Sequence, residues 1–90
     1  MNYEITERLD SVEMALKIDE INSQYAFLEY KHKKGGLYKT QGATVINING
    51  TAYWGLIYYK LKEDGTNDYT IPFTRPLFEF LDGRFELIKK

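Results

Sequence analysis

Residues 29–42 read EYKHKKGGLYKTQG, and the fold turns on whether the residues before the glycine pair are helical or extended. In the helical reading, Lys31, His32, Lys33 and Lys34 fill a last turn and Gly35-Gly36 caps it. Cations complement the negative end of a helix dipole, and glycine accepts the left-handed backbone of a C-terminal cap. Upstream, Asp10 and Glu13 have capping-box spacing. Met14, Ile18, Ile21, Tyr25 and Leu28 then follow at steps of four, three, four and three, which is one apolar helical face. This reading predicts a single helix over about residues 11–34.

The rival reading makes the same stretch a hairpin. Ala26, Leu28 and Tyr30 alternate with Phe27, Glu29 and Lys31, the period of a strand. Lys33-Lys34-Gly35-Gly36 then turns between YAFLEYKH and LYKTQG. Val12, Met14, Leu16 and Ile18 alternate as well, and a third arrangement has a short opening helix around Ile5 and Leu9 followed by strands.

The second half of the chain reads more simply. ATVINI and TAYWGLIYYKLK flank Asn49-Gly50, and Asn-Gly between apolar runs is the strongest local signal for a hairpin. A two-residue loop sets Ile48 against Thr51, Ile46 against Tyr53 and Val45 against Trp54. One face then carries Ile46, Ile48, Tyr53, Ile57, Tyr59 and Leu61, and the other carries Ala52, Trp54, Leu56 and Tyr58. A strand apolar on both sides is covered on both, or meets a partner on one. KEDGTND is a turn by composition. Pro72 in YTIPFTR points to an edge strand or an unpaired stretch of one. Pro76 opens a short helix ended by Gly83, or else Asp82-Gly83 turns a hairpin, and RFELI is a last strand. The expected fold is α+β: an N-terminal helix at about 11–34 packed on a twisted antiparallel sheet of three to five strands, with a hairpin at 43–62 and a single domain over 1–90.

The composition argues mainly by exclusion. There is no cysteine, so disulfides, thiolate metal sites and thiol nucleophiles are ruled out. The one histidine, His32, has no serine and carboxylate at a spacing that suggests a triad, so no enzyme is expected. Glu63, Asp64 and Asp68 lack the ligand order of a calcium loop, and no phosphate-loop spacing occurs, so neither a metal nor a cofactor is expected. The N-terminus lacks the pattern of a secretion signal and no apolar run approaches a membrane span, which suits a cytoplasmic protein that does not engage a membrane. Net charge is −1, but Glu4, Glu7, Asp10, Glu13, Asp19 and Glu20 make the first twenty residues acidic, while Lys31, Lys33, Lys34 and Lys39 make 29–42 basic.

Two binding functions remain. The aromatic residues exceed what one helix on one sheet face needs. If the helix covers the Tyr53, Ile57 and Tyr59 side, then Trp54, Leu56 and Tyr58 form a protein-binding face. That describes a non-enzymatic regulator or inhibitor of a larger protein, suited to a bacterial or phage accessory role, or a homo-oligomer. The alternative is nucleic-acid binding through Tyr30, Lys31, Lys33, Lys34, Tyr38 and Lys39, where lysines would neutralise phosphate and tyrosines would stack on bases.

Overall fold

The computed structural model describes residues 3–6 and 8–89. Helix α1 runs Ser11–Tyr25. Its start is the expected capping box: the Glu13 amide donates to Asp10 Oδ1 at 2.9 Å and the Asp10 amide donates to Glu13 Oε1 at 3.3 Å. Ile21 is buried, with Met14, Ile18 and Tyr25 packed beside it. Leu28 also meets this core but lies beyond the helix.

The helix ends at Tyr25, well short of residue 34, and the cause is an interaction distant in sequence. Ala26 is extended and Phe27 takes a left-handed φ of 58°, so the chain leaves the helix before it reaches the lysines. Thr40, fully buried, holds it there. Its hydroxyl donates to the Tyr25 carbonyl and accepts from the Leu28 amide at 3.0 Å. The Phe27 amide donates to the Thr40 carbonyl at 2.9 Å, and the Thr40 amide donates to the Leu28 carbonyl at 3.0 Å. The hairpin reading therefore describes residues 29–42: β1 is Glu29–His32 and β2 is Leu37–Ile48, antiparallel, with Tyr30 opposite Tyr38. Gly35 and Gly36, at φ 102° and 90°, cap a strand turn and not a helix.

Strand β3, Thr51–Leu61, follows the Asn49-Gly50 turn in the expected register, with Ile48 opposite Thr51, Ile46 opposite Tyr53 and Val45 opposite Trp54. Both turn residues have positive φ, 50° and 83°, as a type I′ turn requires. β4 is Asn67–Pro76, α2 is the single turn Leu77–Phe80, and β5 is Phe85–Lys89. The sheet order is β4-β3-β2-β1-β5, antiparallel throughout. RFELI is a strand, but it pairs with β1 and not with the segment before Asp82-Gly83.

Pro72 sits where the pairing breaks. The register steps from Lys60–Asp68 to Tyr58–Phe73, so Tyr59 alone lies opposite residues 69–72 on the edge strand. Beyond the end of β4, the same side of β3 is taken by the N-terminal segment. The Ile5 amide donates to the Ala52 carbonyl at 2.8 Å and the Trp54 amide donates to the Tyr3 carbonyl at 2.9 Å.

Both helices cover the sheet face opposite to the one expected. Trp54, Leu56 and Tyr58 are 4%, 0% and 3% exposed, packed with Ile21 of α1 and with Leu77 and Phe80 of α2. Phe80 stacks on Phe85 with centroids 4.2 Å apart, and Tyr30 meets Phe80 edge-on at 4.8 Å. α1 is seated on β2 by Asn22, whose Oδ1 accepts the Ala43 amide at 2.7 Å beside the register shift at Thr40/Gly42. Both faces of the hairpin are apolar, so strand alternation could not say which one a helix would choose.

Thr40 gives a sharp test. Thr40→Val keeps the shape but strips two buried polar partners, and it should cost about 2–4 kcal/mol in urea unfolding. Thr40→Ser keeps the hydroxyl and should retain most of that stability. Equal losses in the two variants would show that the methyl group matters and the hydrogen bonds do not.

Candidate functional site

The face left open by the helices is the candidate site. On β2 it carries Ile46 and Ile48, and on β3 Tyr53, Ile57, Tyr59 and Leu61, all half-buried. None of these joins the hydrophobic core cluster. Tyr69, 64% exposed, reaches in from the unpaired stretch of β4 and meets the Tyr59 ring at 4.8 Å. Phe78 leans from α2 onto Tyr53 at 5.0 Å and closes the other end. The centre is kept flat by Gly55. A Cβ there would run into Ile46 Cδ1 and lie 2.8 Å from the Arg75 carbonyl, so Ile46 folds across the glycine.

The same face changes character toward β1. Register places Glu29 opposite Lys39 and Lys31 opposite Glu86, two cross-strand pairs of opposite charge. Lys39 also lies opposite Tyr59. The open face is thus apolar around Ile46, Tyr53 and Ile57 and charged with both signs from Lys39 of β2 across β1 and β5. The alternation of apolar residues does not distinguish this face from the buried one. The usable signal was Gly55, whose missing side chain falls on this side alone.

Trp54, Leu56 and Tyr58 come together as a cluster but inside the core, where they present no surface to a partner. The basic candidates are split apart. Tyr30 is buried at 6% exposure, and Tyr38 is half-buried in an aromatic cluster, 5.6 Å from Tyr58 and 5.9 Å from Phe85. Lys31 and Lys39 alternate with them and face the other side of the sheet, and Lys33 and Lys34 lie in the exposed turn. A strand sends neighbouring residues to opposite faces, so the interleaved tyrosines and lysines of the sequence cannot meet one ligand.

Near that turn, Glu79 Oε1 accepts from Arg75 at 3.3 Å and from Arg84 at 3.0 Å, and Arg84 also pairs with Asp82 at 2.6 Å. Arg75 Nε donates to the Tyr58 hydroxyl at 3.2 Å. These bonds tie α2 to the sheet, and the partly exposed geometry makes each of them a modest contributor. His32 packs edge-on against Phe85 at 4.9 Å, and its Nδ1 accepts the Lys34 amide at 3.1 Å. Partial desolvation, then the charges of Arg75, Lys34, Arg84 and Lys33, lower its pKa below the ordinary 6.5. In the acidic turn, Asp64 Oδ1 accepts from the Thr66 amide at 2.9 Å and its hydroxyl at 2.6 Å, and these two bonds hold the carboxyl below its usual range. Among the described residues, no three of His, Cys, Asp and Glu gather where they could hold a metal ion, and no helix is long and apolar enough to cross a membrane.

Comparison with protein-family models, curated proteins and solved structures finds no match for this chain.

Two outcomes follow from this geometry. Gly55→Ala should destabilise the fold by about 1–3 kcal/mol, measured by chemical unfolding, because the added methyl overpacks against Ile46 and the backbone of β4. His32 favours its neutral form when folded, so the unfolded chain binds the proton more readily. Stability should fall as pH drops below 6.5, the titration midpoint by NMR should lie under 6.5, and His32→Gln should flatten that slope. A midpoint at or above 6.5 would refute the assignment.

Proposed function

We propose that this protein is a non-enzymatic binding module that acts through the open apolar face of its sheet. The observation that carries this reading is the uncovered surface formed by Ile46, Ile48, Tyr53, Ile57, Tyr59 and Leu61, bordered by Tyr69. Aromatic and aliphatic side chains at the centre of a patch, with charge at its border, are the anatomy of a protein interface. Tyrosine suits such a role because it combines a large contact area with a polar tip and little rotamer entropy. The partner is either another protein, which the module would regulate or inhibit by occupying its surface, or a second copy of the chain. A two-fold pairing is compatible with this face, because its centre carries no charge to be set against its own image. The charged half would fix orientation and make the approach of a partner salt-sensitive.

Nucleic-acid binding ranks second. It rests on the lysines of the 33–36 turn alone, without the aromatic platform that single strands use.

Light scattering over a range of concentrations, paired with affinity capture, tests the proposal. Ile57→Lys and Tyr59→Glu are expected to abolish self-association or capture while lowering the unfolding midpoint only slightly. A chain that stays monomeric and captures nothing specific, or variants that behave as the parent does, would overturn the reading.

A further inference from the structure

The two edges of the sheet are built differently, and the difference marks a second surface, independent of the open face. On the β4 edge, residues 69–72 step out of register, Pro72 has no amide hydrogen, and Asp68 Oδ1 accepts the Thr70 amide at 3.0 Å. Such devices keep an edge from taking on another strand. The β5 edge lacks them between Phe85 and Leu87. No proline or glycine stands there, and the register with β1 runs unbroken from His32–Phe85 to Tyr30–Leu87.

The hydrogen bonds show which backbone groups of β5 face outward. The Lys33 amide donates to the Arg84 carbonyl at 2.9 Å, and the His32 amide turns the other way, to the Gly36 carbonyl at 3.1 Å. Antiparallel pairs alternate between bonded and unbonded. Arg84 and Glu86 therefore bond to β1, whereas the amide and carbonyl of Phe85 and of Leu87 point away from it. Among the described residues, none bonds to these outward groups and no strand lies beyond β5. The side chains at this edge are also short of cover: Leu87 is 41% exposed and Ile88 50%.

Backbone groups at this spacing are the template for one more antiparallel strand. A second copy of the chain fits poorly. The two-fold register that uses both Phe85 and Leu87 sets each against the other's image and places Glu86 directly opposite Glu86 of the copy, like charge against like. A different strand escapes that clash. Its residues bonded to Phe85 and Leu87 lie on the covered side, where apolar side chains would extend the core over Leu87. The residue between them faces Glu86 on the open side. Glu86 stands opposite Lys31 in register, but among the described residues it closes no ion pair.

We propose that the β5 edge takes up an extended segment of another polypeptide, antiparallel to β5 and reading apolar–basic–apolar. The apolar residues bond to Phe85 and Leu87, and a lysine or arginine sits opposite Glu86.

The probe is the capped peptide Gln-Thr-Val-Lys-Val-Thr-Gln, titrated against the whole chain while the amide resonances of Phe85 and Leu87 are followed by NMR. Both amides should shift saturably. Methylating the backbone nitrogens of the two valines removes the hydrogens that face β5 and should abolish the shifts. Methylating the nitrogen of the central lysine, which faces away, should leave the affinity within about twofold. Glutamate in place of that lysine should weaken binding about fivefold, and Glu86→Lys should reverse the order of the two peptides. Leu87→Pro removes one outward amide and leaves the bonds to β1 in place, so it should abolish binding with the sheet intact. If that variant fails to fold, the two methylated peptides still decide the matter on the parent chain. Absence of saturable shifts at Phe85 and Leu87, equal binding of the two methylated peptides, or indifference to the central charge would overturn the proposal. Shifts at these amides that grow with protein concentration alone would assign the edge to a second copy and overturn it equally.

Discussion

The hydroxyl of Thr40 decides where the helix stops, and most of the architecture depends on that stop. Fully buried between α1 and the sheet, it satisfies the Tyr25 carbonyl and the Leu28 amide together. A helix end buried without partners would leave orphan groups that cost more than the helix gains by continuing or fraying. Because Thr40 lies on β2, the end of α1 and the position of the hairpin are set by one interaction. Asn22 repeats the device one turn earlier by accepting the Ala43 amide. Together they lock the helix to one strand in angle and register, and the aromatic core forms beneath it.

That core explains why the sheet is dressed on one side only. The covered face carries Trp54, Leu56, Tyr58, Tyr30 and Phe85, and the rings of Tyr30, Tyr58 and Phe85 all meet Phe80 of α2. Ring contacts near 4–6 Å need depth, and two helices supply it. The open face carries β-branched isoleucines, the tyrosines Tyr53 and Tyr59 and a glycine at the centre. The same hairpin thus makes a thick core on one side and a smooth plate on the other.

How much of this was legible depended on how local the cause was. Asn49-Gly50 and the register of its hairpin could be read because the turn carries its own backbone requirement. The capping box at Asp10 and Glu13 could be read for the same reason. The end of α1 could not. Residues 26–34 hold an acceptable helical pattern, and only Thr40, far along the chain, tips them into a strand. The aromatic excess was visible as composition, but the buried side was not, because both faces of β3 satisfy the same alternation. Trp54, Leu56 and Tyr58 were grouped correctly and assigned to the wrong side.

The strand order has a consequence for how the chain reaches this state. β1 to β4 form a meander in which each strand finds its neighbour through a short turn, so these pairings close small loops. β5 breaks the pattern. The chain passes beneath the sheet through α2 and returns to the opposite edge, where Phe85 pairs with His32. Phe85 is also the ring on which Phe80 stacks. Strand β5 therefore carries a keystone of the core, and its pairing with β1 spans more of the chain than any other strand pairing among the described residues. Loop-closure entropy therefore makes the β1–β5 pairing costlier to form than the short-turn pairings of the meander, and the core is incomplete without it.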